Sequence, residues 1–213
     1  PSGMIVNNAQ TATSDTVQNW LAPKISNFKF QISNSEFVDK GGIVHRLDKD
    51  TSGVMVLARN ANCYDKLKLQ FLERKVIKKY TALVHGSFKE DSGLISAPIQ
   101  RHPKDRHKFT IGGDLSRTSI TEWKIIKKLD NLTLLELTPH TGRTHQLRVH
   151  LQSINHPIVS DPTYGWQKKV GDDLAICPRL FLHAKYLEFV HPRTNEKVSF
   201  EVDLPEVLQK MLH

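Results

Sequence analysis

Cysteine is scarce in this chain: there are two, Cys63 and Cys177, among 213 residues. They lie far apart and form no C-x-x-C pair, so neither a disulfide framework nor a thiolate metal site is signalled, and a reducing compartment is expected. There is no long apolar run and hence no signal for a membrane-spanning segment. No leader peptide is visible, and a cytoplasmic location is expected. Neither G-x-x-x-x-G-K-[ST] nor G-x-G-x-x-G occurs, so no nucleotide-cofactor loop is signalled. His140, His145 and His150 recur at five-residue steps, about 140° apart around a helix. Metal ligands on one helix stand three or four residues apart, and no metal site is expected. Ser52 has no nucleophile elbow around it, and no Cys–His pair has local support. Repeats and low-complexity tracts are absent. Acidic residues are in deficit, 22 against 30 Lys and Arg, for a net charge of +8. That balance favours a polyanionic partner over a membrane.

What is present suffices for a folded core, since 38% of the residues are hydrophobic. The length suits one large domain or two small ones, and no break in composition marks a boundary. A short helix is expected around Thr16 to Leu21, then an irregular stretch over 26–42 ending in Gly41-Gly42. "GVMVLARN" (53–60) reads as a buried strand. "NCYDKLKLQFLERK" places Tyr64, Leu67 and Phe71 on one helical face, with Asn60 or Asn62 as cap. "KKYTALVHG" (78–86), "RTSITEWKII" (117–126) and "NLTLLELTP" (131–139) read as strands. "TGRTHQLRVHLQSI" (141–154) opens with a turn and continues as a helix with Leu147, Leu151 and Ile154 inward. "RLFLHAKYLEFVHP" and "EKVSFEVDLP" read as a closing strand pair, followed by a short helix from Glu206 to Leu212. Strands that follow one another with few helices between them argue for an α+β fold with a mostly antiparallel sheet.

The chemistry concentrates in "IVHRLDKDTSG" (43–53). Asp48 follows His45, Arg46 and Leu47, with Asp50 close behind and a turn at Thr51, Ser52 and Gly53. A carboxylate beside an arginine is favoured in its ionised form, which suits a nucleophile or base rather than an acid catalyst. From spacing alone, Asp48 is also compatible with a turn residue or a structural ion pair.

These residues resemble the signature of the RluA/RluD branch of pseudouridine synthases, H-R-L-D-x-x-T-S-G before a hydrophobic strand. "KKYTALVHG" is similar to that family's K-x-Y-x-A-x-V-x-G, and "LTPHTGRTHQLRVHL" to its T-G-R-T-H-Q-[IL]-R-V-H. "HPIVSDPTYG" and "RLFLHAKYLEFVHP" follow in the family's order. The resemblance covers about residues 41 to 192. It implies a single catalytic domain over 1–213, its bent, mostly antiparallel sheet flanked by helices and loops around a central cleft. The implied reaction is isomerisation of uridine in RNA to pseudouridine, which needs no cofactor and no metal.

By position in the motifs, Asp48 is the catalytic carboxylate, as nucleophile at C1′ or as base toward the C2′ proton. Tyr80 matches the tyrosine that stacks on the uracil and can take the C5 proton, although a strand-core role would explain it too. Arg148 matches the arginine that pairs with the catalytic acid; the alternative is a solvated helix arginine. Arg46 matches the residue that fills the gap left by an extruded base. Arg143, in the turn before its helix, suits a phosphate contact.

The run "RHPKDRHK" (101–108) offers Arg101, Lys104 and Arg106 to an RNA backbone, or else is a solvated basic loop. Its pattern leans toward the members that act on large-subunit ribosomal RNA. Transfer RNA as substrate, and a catalytically silent RNA-binding module, remain alternatives. A monomer is expected. "PSGMIV" is similar to the end of the family's K-P-x-G-x-x-V opening without its lysine, so truncation upstream is expected. No S4-type RNA-binding domain is present in this sequence.

Overall fold

The computed structural model describes residues 1–8, 16–25 and 35–212. Helices α1 (Val17–Ile25) and α2 (Ser35–Lys40) precede the two-residue strand β1 (Ser52–Gly53) and helix α3 (Ala61–Leu72). Strands β2 (Ile77–His85), β3 (Ser92–Arg101), β4 (Phe109–Ile111), β5 (Thr118–Lys128) and β6 (Leu132–Pro139) follow. Helices α4 (Gln146–Ser153) and α5 (Val170–Ile176), strands β7 (Leu182–Val190) and β8 (Lys197–Glu201) and helix α6 (Glu206–Gln209) complete the order. Among the described residues no helix is long and apolar enough to cross a membrane.

The chain divides into two compact units. The first comprises Pro1–Ile77 and Tyr186–Glu201; the second comprises Lys78–Lys185 and Val202–His213. In the first unit, α3 forms where the apolar spacing places it, and Asn60 is its cap, accepting from Cys63 N at 2.9 Å. Tyr64 and Leu67 are its buried face, packed with Phe37, Leu187 and Phe189. Helix α2 stands where an irregular stretch was expected; the earlier part of that stretch lies outside the described residues. Glu36 in its first turn and Lys40 in its last both favour the helix dipole, and Phe37 is fully buried.

The strand expected over 53–60 is not formed beyond β1 and an isolated bridge between Ile43 and Leu57. The reason is local: Val56 N–H donates to His45 Nε2 at 3.1 Å, so no ladder continues there.

In the second unit, β2, β6, β5, β3 and β4 hydrogen-bond side by side in that order, and every pairing is antiparallel. This is the α+β class read from the sequence. Its core gathers Leu83, Leu135, Leu137, Leu151 and Phe181, all fully buried. Strands β3 and β4 and helix α5 were not anticipated. Cys177, at the end of α5, is fully buried, and burial pushes its thiol pKa up, whereas Cys63 in the first unit is half-buried.

Gly42 marks the tightest turn before the Asp48 segment. Its φ is +75°, and an added Cβ would stand 2.2 Å from the Ala58 carbonyl oxygen. The Gly42 carbonyl in turn accepts Ala58 N–H at 2.8 Å, so the two segments cannot separate without losing a hydrogen bond. Gly42→Ala is expected to cost about 2–3 kcal/mol in urea unfolding, from left-handed strain plus the clash. Gly171→Ala, in α5 with nothing within 4 Å, should be neutral or stabilising by up to ~1 kcal/mol.

Candidate functional site

Asp48 lies in the first unit at the start of a turn closed by Thr51 N–H donating to the Asp48 carbonyl at 3.0 Å. Thr51 and Ser52 are buried, 4% and 3% exposed, and Leu47 packs inward ahead of the acid. These residues fix the backbone on both sides of Asp48 and leave its side chain half-buried. Asp50 is half-buried as well, so burial does not distinguish the two acids. Arg46 is exposed. His45 is a packing residue: it stacks on Phe71 with ring centroids 4.6 Å apart and accepts Val56 N–H.

The other two proposed catalytic residues belong to the second unit. Tyr80 stands half-buried on β2, opposite Leu137 of β6, and packs against the core. Arg148 is 4% exposed on α4, which excludes a solvated helix arginine. Its Nε and Nη2 each donate to Asp161 at 2.8 Å, a bidentate pair with a fully buried carboxylate. Asp161 also accepts the backbone N–H groups of Thr163 and Tyr164, both at 2.9 Å. The guanidinium lies over the Tyr164 ring, 4.9 Å from its centroid. This geometry fixes the plane of a cation that was legible in the sequence only as an arginine on a helix.

As read from the sequence, 141–154 opens with a turn, residues 141–145 held by Gln146, and continues as helix α4. The Gln146 Oε1 accepts from Thr141 Oγ1 at 2.7 Å and from Arg143 N at 3.0 Å, while its Nε2 donates to the Ile120 carbonyl. His145 sits at φ +55°, left-handed for a non-glycine residue. Arg143 is exposed on this turn.

The three histidines of the region have different partners: His140 meets Glu122 at 2.9 Å, His145 meets Tyr164 at 2.8 Å, and His150 meets Thr121 at 3.0 Å. Arg101, Lys104 and Arg106 are all exposed around the β3–β4 tip. The tip is ordered from within, since Arg101 Nη1 donates to the Arg106 carbonyl at 2.7 Å and His107 N–H to Asp105 at 2.9 Å.

Sequence reading missed three groups here. Asp161 and Tyr164 lay inside "HPIVSDPTYG" without an assigned role; a lone acid after an apolar run was the available signal. Lys78 is half-buried two residues before Tyr80, and burial pulls its pKa down. Its Nζ lies 4.0 Å from where a Cβ on Gly142 would stand, beside the turn that carries Arg143.

Comparison with known proteins agrees with the motifs. The family profile described as RNA pseudouridylate synthase matches residues 1–153. The uncharacterized RNA pseudouridine synthase YlyB of Bacillus subtilis is 38% identical over 212 residues, covering 100% of this chain and 67% of the relative. Ribosomal large subunit pseudouridine synthase D of Buchnera aphidicola is 36% identical over 220 residues, covering 100% of this chain and 68% of the relative. Among solved structures, human RNA pseudouridylate synthase domain containing 1 superimposes with a TM-score of 0.69 at 30% identity, over 93% of this chain and 78% of that one.

The chain therefore belongs to the RNA pseudouridylate synthase family, isomerases that act on RNA, and spans about two thirds of the length of these two bacterial relatives.

Burial gives the second unit a pH dependence. His150 is fully buried, and desolvation lowers its pKa from the ordinary 6.5, opposed in part by its hydrogen bond to the Ala97 carbonyl. His183, 2% exposed, shifts in the same direction. The unfolded chain then binds protons more readily than the folded one below about pH 6.5, so stability rises with pH through that window. Urea unfolding at pH 5.5 and 7.5 should show lower stability at the acidic value. His150→Gln should flatten the difference.

Proposed function

We propose that this chain converts uridine to pseudouridine in large-subunit ribosomal RNA. The observation that supports the reading best is Arg148. It is a buried guanidinium oriented by the two hydrogen bonds it donates to Asp161, and it sits on the helix that Q-L-R-V-H opens after the T-G-R-T-H turn. A buried charge is costly to hold, and a fixed orientation is what a reaction with developing charge requires. Ribosomal RNA is favoured because relatives spanning this whole chain are named ribosomal large subunit pseudouridine synthase D.

In the reaction the N1–C1′ bond breaks, the uracil turns, and C5 bonds to C1′. The C5 proton is released and N1 gains one, so composition is unchanged and no cofactor or metal is required. Asp48 supplies the carboxylate that acts at the ribose, at C1′ or on the C2′ proton. Tyr80 stacks on the uracil and accepts the C5 proton, and Arg148 supplies positive charge to the reacting centre. The target base leaves its stack to react, and Arg46 takes its place. Arg143, Arg101, Lys104 and Arg106 contact RNA phosphates. In this reading residues 1–213 form one catalytic domain, working as a monomer in the cytoplasm.

The test of the chemistry is Asp48→Asn. It should abolish pseudouridine formation in an unmodified large-subunit ribosomal RNA transcript, read by carbodiimide mapping, while RNA affinity changes little. Asp50→Asn should retain most of the rate. Near-wild-type turnover by Asp48→Asn would remove the assignment.

The test of the binding surface is the triple replacement of Arg101, Lys104 and Arg106 by Ala. Each phosphate contact contributes a log–log salt slope of about −0.7 to −0.9, so the slope of RNA affinity should flatten by roughly two to three. Dissociation constants at several salt concentrations read this directly. An unchanged slope would make the tip a solvated surface feature.

A further inference from the structure

Tyr164 joins two parts of the second unit that the proposed function uses for different purposes. Its side chain is buried, 6% exposed. The hydroxyl oxygen accepts Phe109 N–H at 2.9 Å and shares a hydrogen bond of 2.8 Å with His145 Nδ1. Phe109 is the first residue of β4, immediately after the basic tip, and its ring meets that of His145 edge-on at 5.6 Å. On the tip side, the Arg101 guanidinium stands over the same Phe109 ring at 5.3 Å. On the other side, the Tyr164 ring lies against the Arg148 guanidinium, and Tyr164 N–H donates to Asp161, the partner of Arg148.

The hairpin has its own ladder, Ile99 to Ile111, Gln100 to Thr110 and Arg101 to Phe109, which orders it internally. That ladder does not fix it to α4. Two links join it to α4: at the base His150 Nε2 meets the Ala97 carbonyl of β3 at 3.3 Å, and nearer the tip the link runs through Phe109, which Tyr164 holds by its backbone. The same hydroxyl is the partner of His145, the left-handed residue at the start of the helix that carries Arg148. Left-handed backbone at a bulky residue is held in place only by its surroundings. One side chain therefore touches the base of the basic tip with its polar end and the catalytic-site arginine with its flat face.

We propose that Tyr164 is a positioning residue with two separable duties: its hydroxyl holds the basic hairpin in the pose that meets RNA, and its ring holds the Arg148 guanidinium in the pose that serves the reaction. The inference rests on the function proposed above and goes beyond it by dividing binding from chemistry within one residue.

The experiment uses the full chain and the variants Tyr164→Phe and Tyr164→Leu. Affinity is measured against a fluorescently labelled stem–loop RNA at several salt concentrations. Single-turnover rates are measured on saturating, unmodified large-subunit ribosomal RNA transcript. Tyr164→Phe removes only the hydroxyl. It should weaken RNA binding roughly fivefold, the scale of one lost hydrogen bond, and flatten the salt slope by about one contact. Its loss should lie in affinity rather than in the saturating rate. Tyr164→Leu should show the same affinity loss and, in addition, a saturating rate at least ~10-fold below that of the Phe variant, the scale of a misplaced catalytic group.

An unchanged affinity and slope in Tyr164→Phe would overturn the hydroxyl's duty, even if the variant unfolds more readily in urea. Equal saturating rates for the two variants would overturn the ring's duty. A wild-type chain that forms no pseudouridine in the transcript would defeat the proposed function and the ring's duty with it. The hydroxyl's duty would then stand or fall on the salt slope alone.

Discussion

The buried pair between Arg148 and Asp161 is the interaction on which the arrangement of α4 and Tyr164 in the second unit depends. Taking both charges out of water is expensive, and the cost is offset only when every remaining donor and acceptor is used. Here the carboxylate takes two bonds from the guanidinium and two from the backbone of Thr163 and Tyr164. The pair thus ties helix α4 to the segment after Ile158, and that segment presents Tyr164 to both Arg148 and Phe109. An apolar pair of similar volume could fill the same space at little loss of stability. What it could not do is hold a charged plane at a defined angle.

The arginines of this chain fall into two electrostatic regimes. Arg101, Arg106 and Arg143 are exposed, so their attraction to a polyanion decays over a Debye length of about 8 Å at physiological salt. Arg148, shielded by the core, is little affected by salt. Net charge alone does not make this distinction. It counts an exposed, screened charge and a buried, shielded one alike, although only the first responds to salt.

Much of the fold was legible where one physical signal dominated. The apolar run in "NLTLLELTP" corresponds to β6, and the spacing of Tyr64, Leu67 and Phe71, with Asn60 ahead of it, to α3. The sequence misled where burial and hydrogen bonding diverge. Val54, Met55 and Val56 are apolar and partly covered, but the Val56 amide goes to an imidazole and no strand forms. Strand β3 was not read from the sequence; it contains Gly93 and Pro98, residue types that strands disfavour, and its pairing with β5 supplies what local preference does not. Among the proposed site residues, Asp48, Tyr80 and Arg148 stood out by their motifs. Asp161 did not, because its meaning lies in a partner thirteen positions away that only the folded chain brings within 2.8 Å.

The scarcity of cysteine has a practical side. Cys63 lies in the first unit and is half-buried; Cys177 lies in the second and is fully buried, with its thiol donating to the Arg179 carbonyl. A thiolate is the form that reacts with alkylating reagents, and burial disfavours it at Cys177. The second unit therefore carries a built-in chemical clock. The rate at which Cys177 is modified reports how often the second unit opens, and Cys63, partly accessible in the folded chain, serves as the internal reference for reagent reactivity.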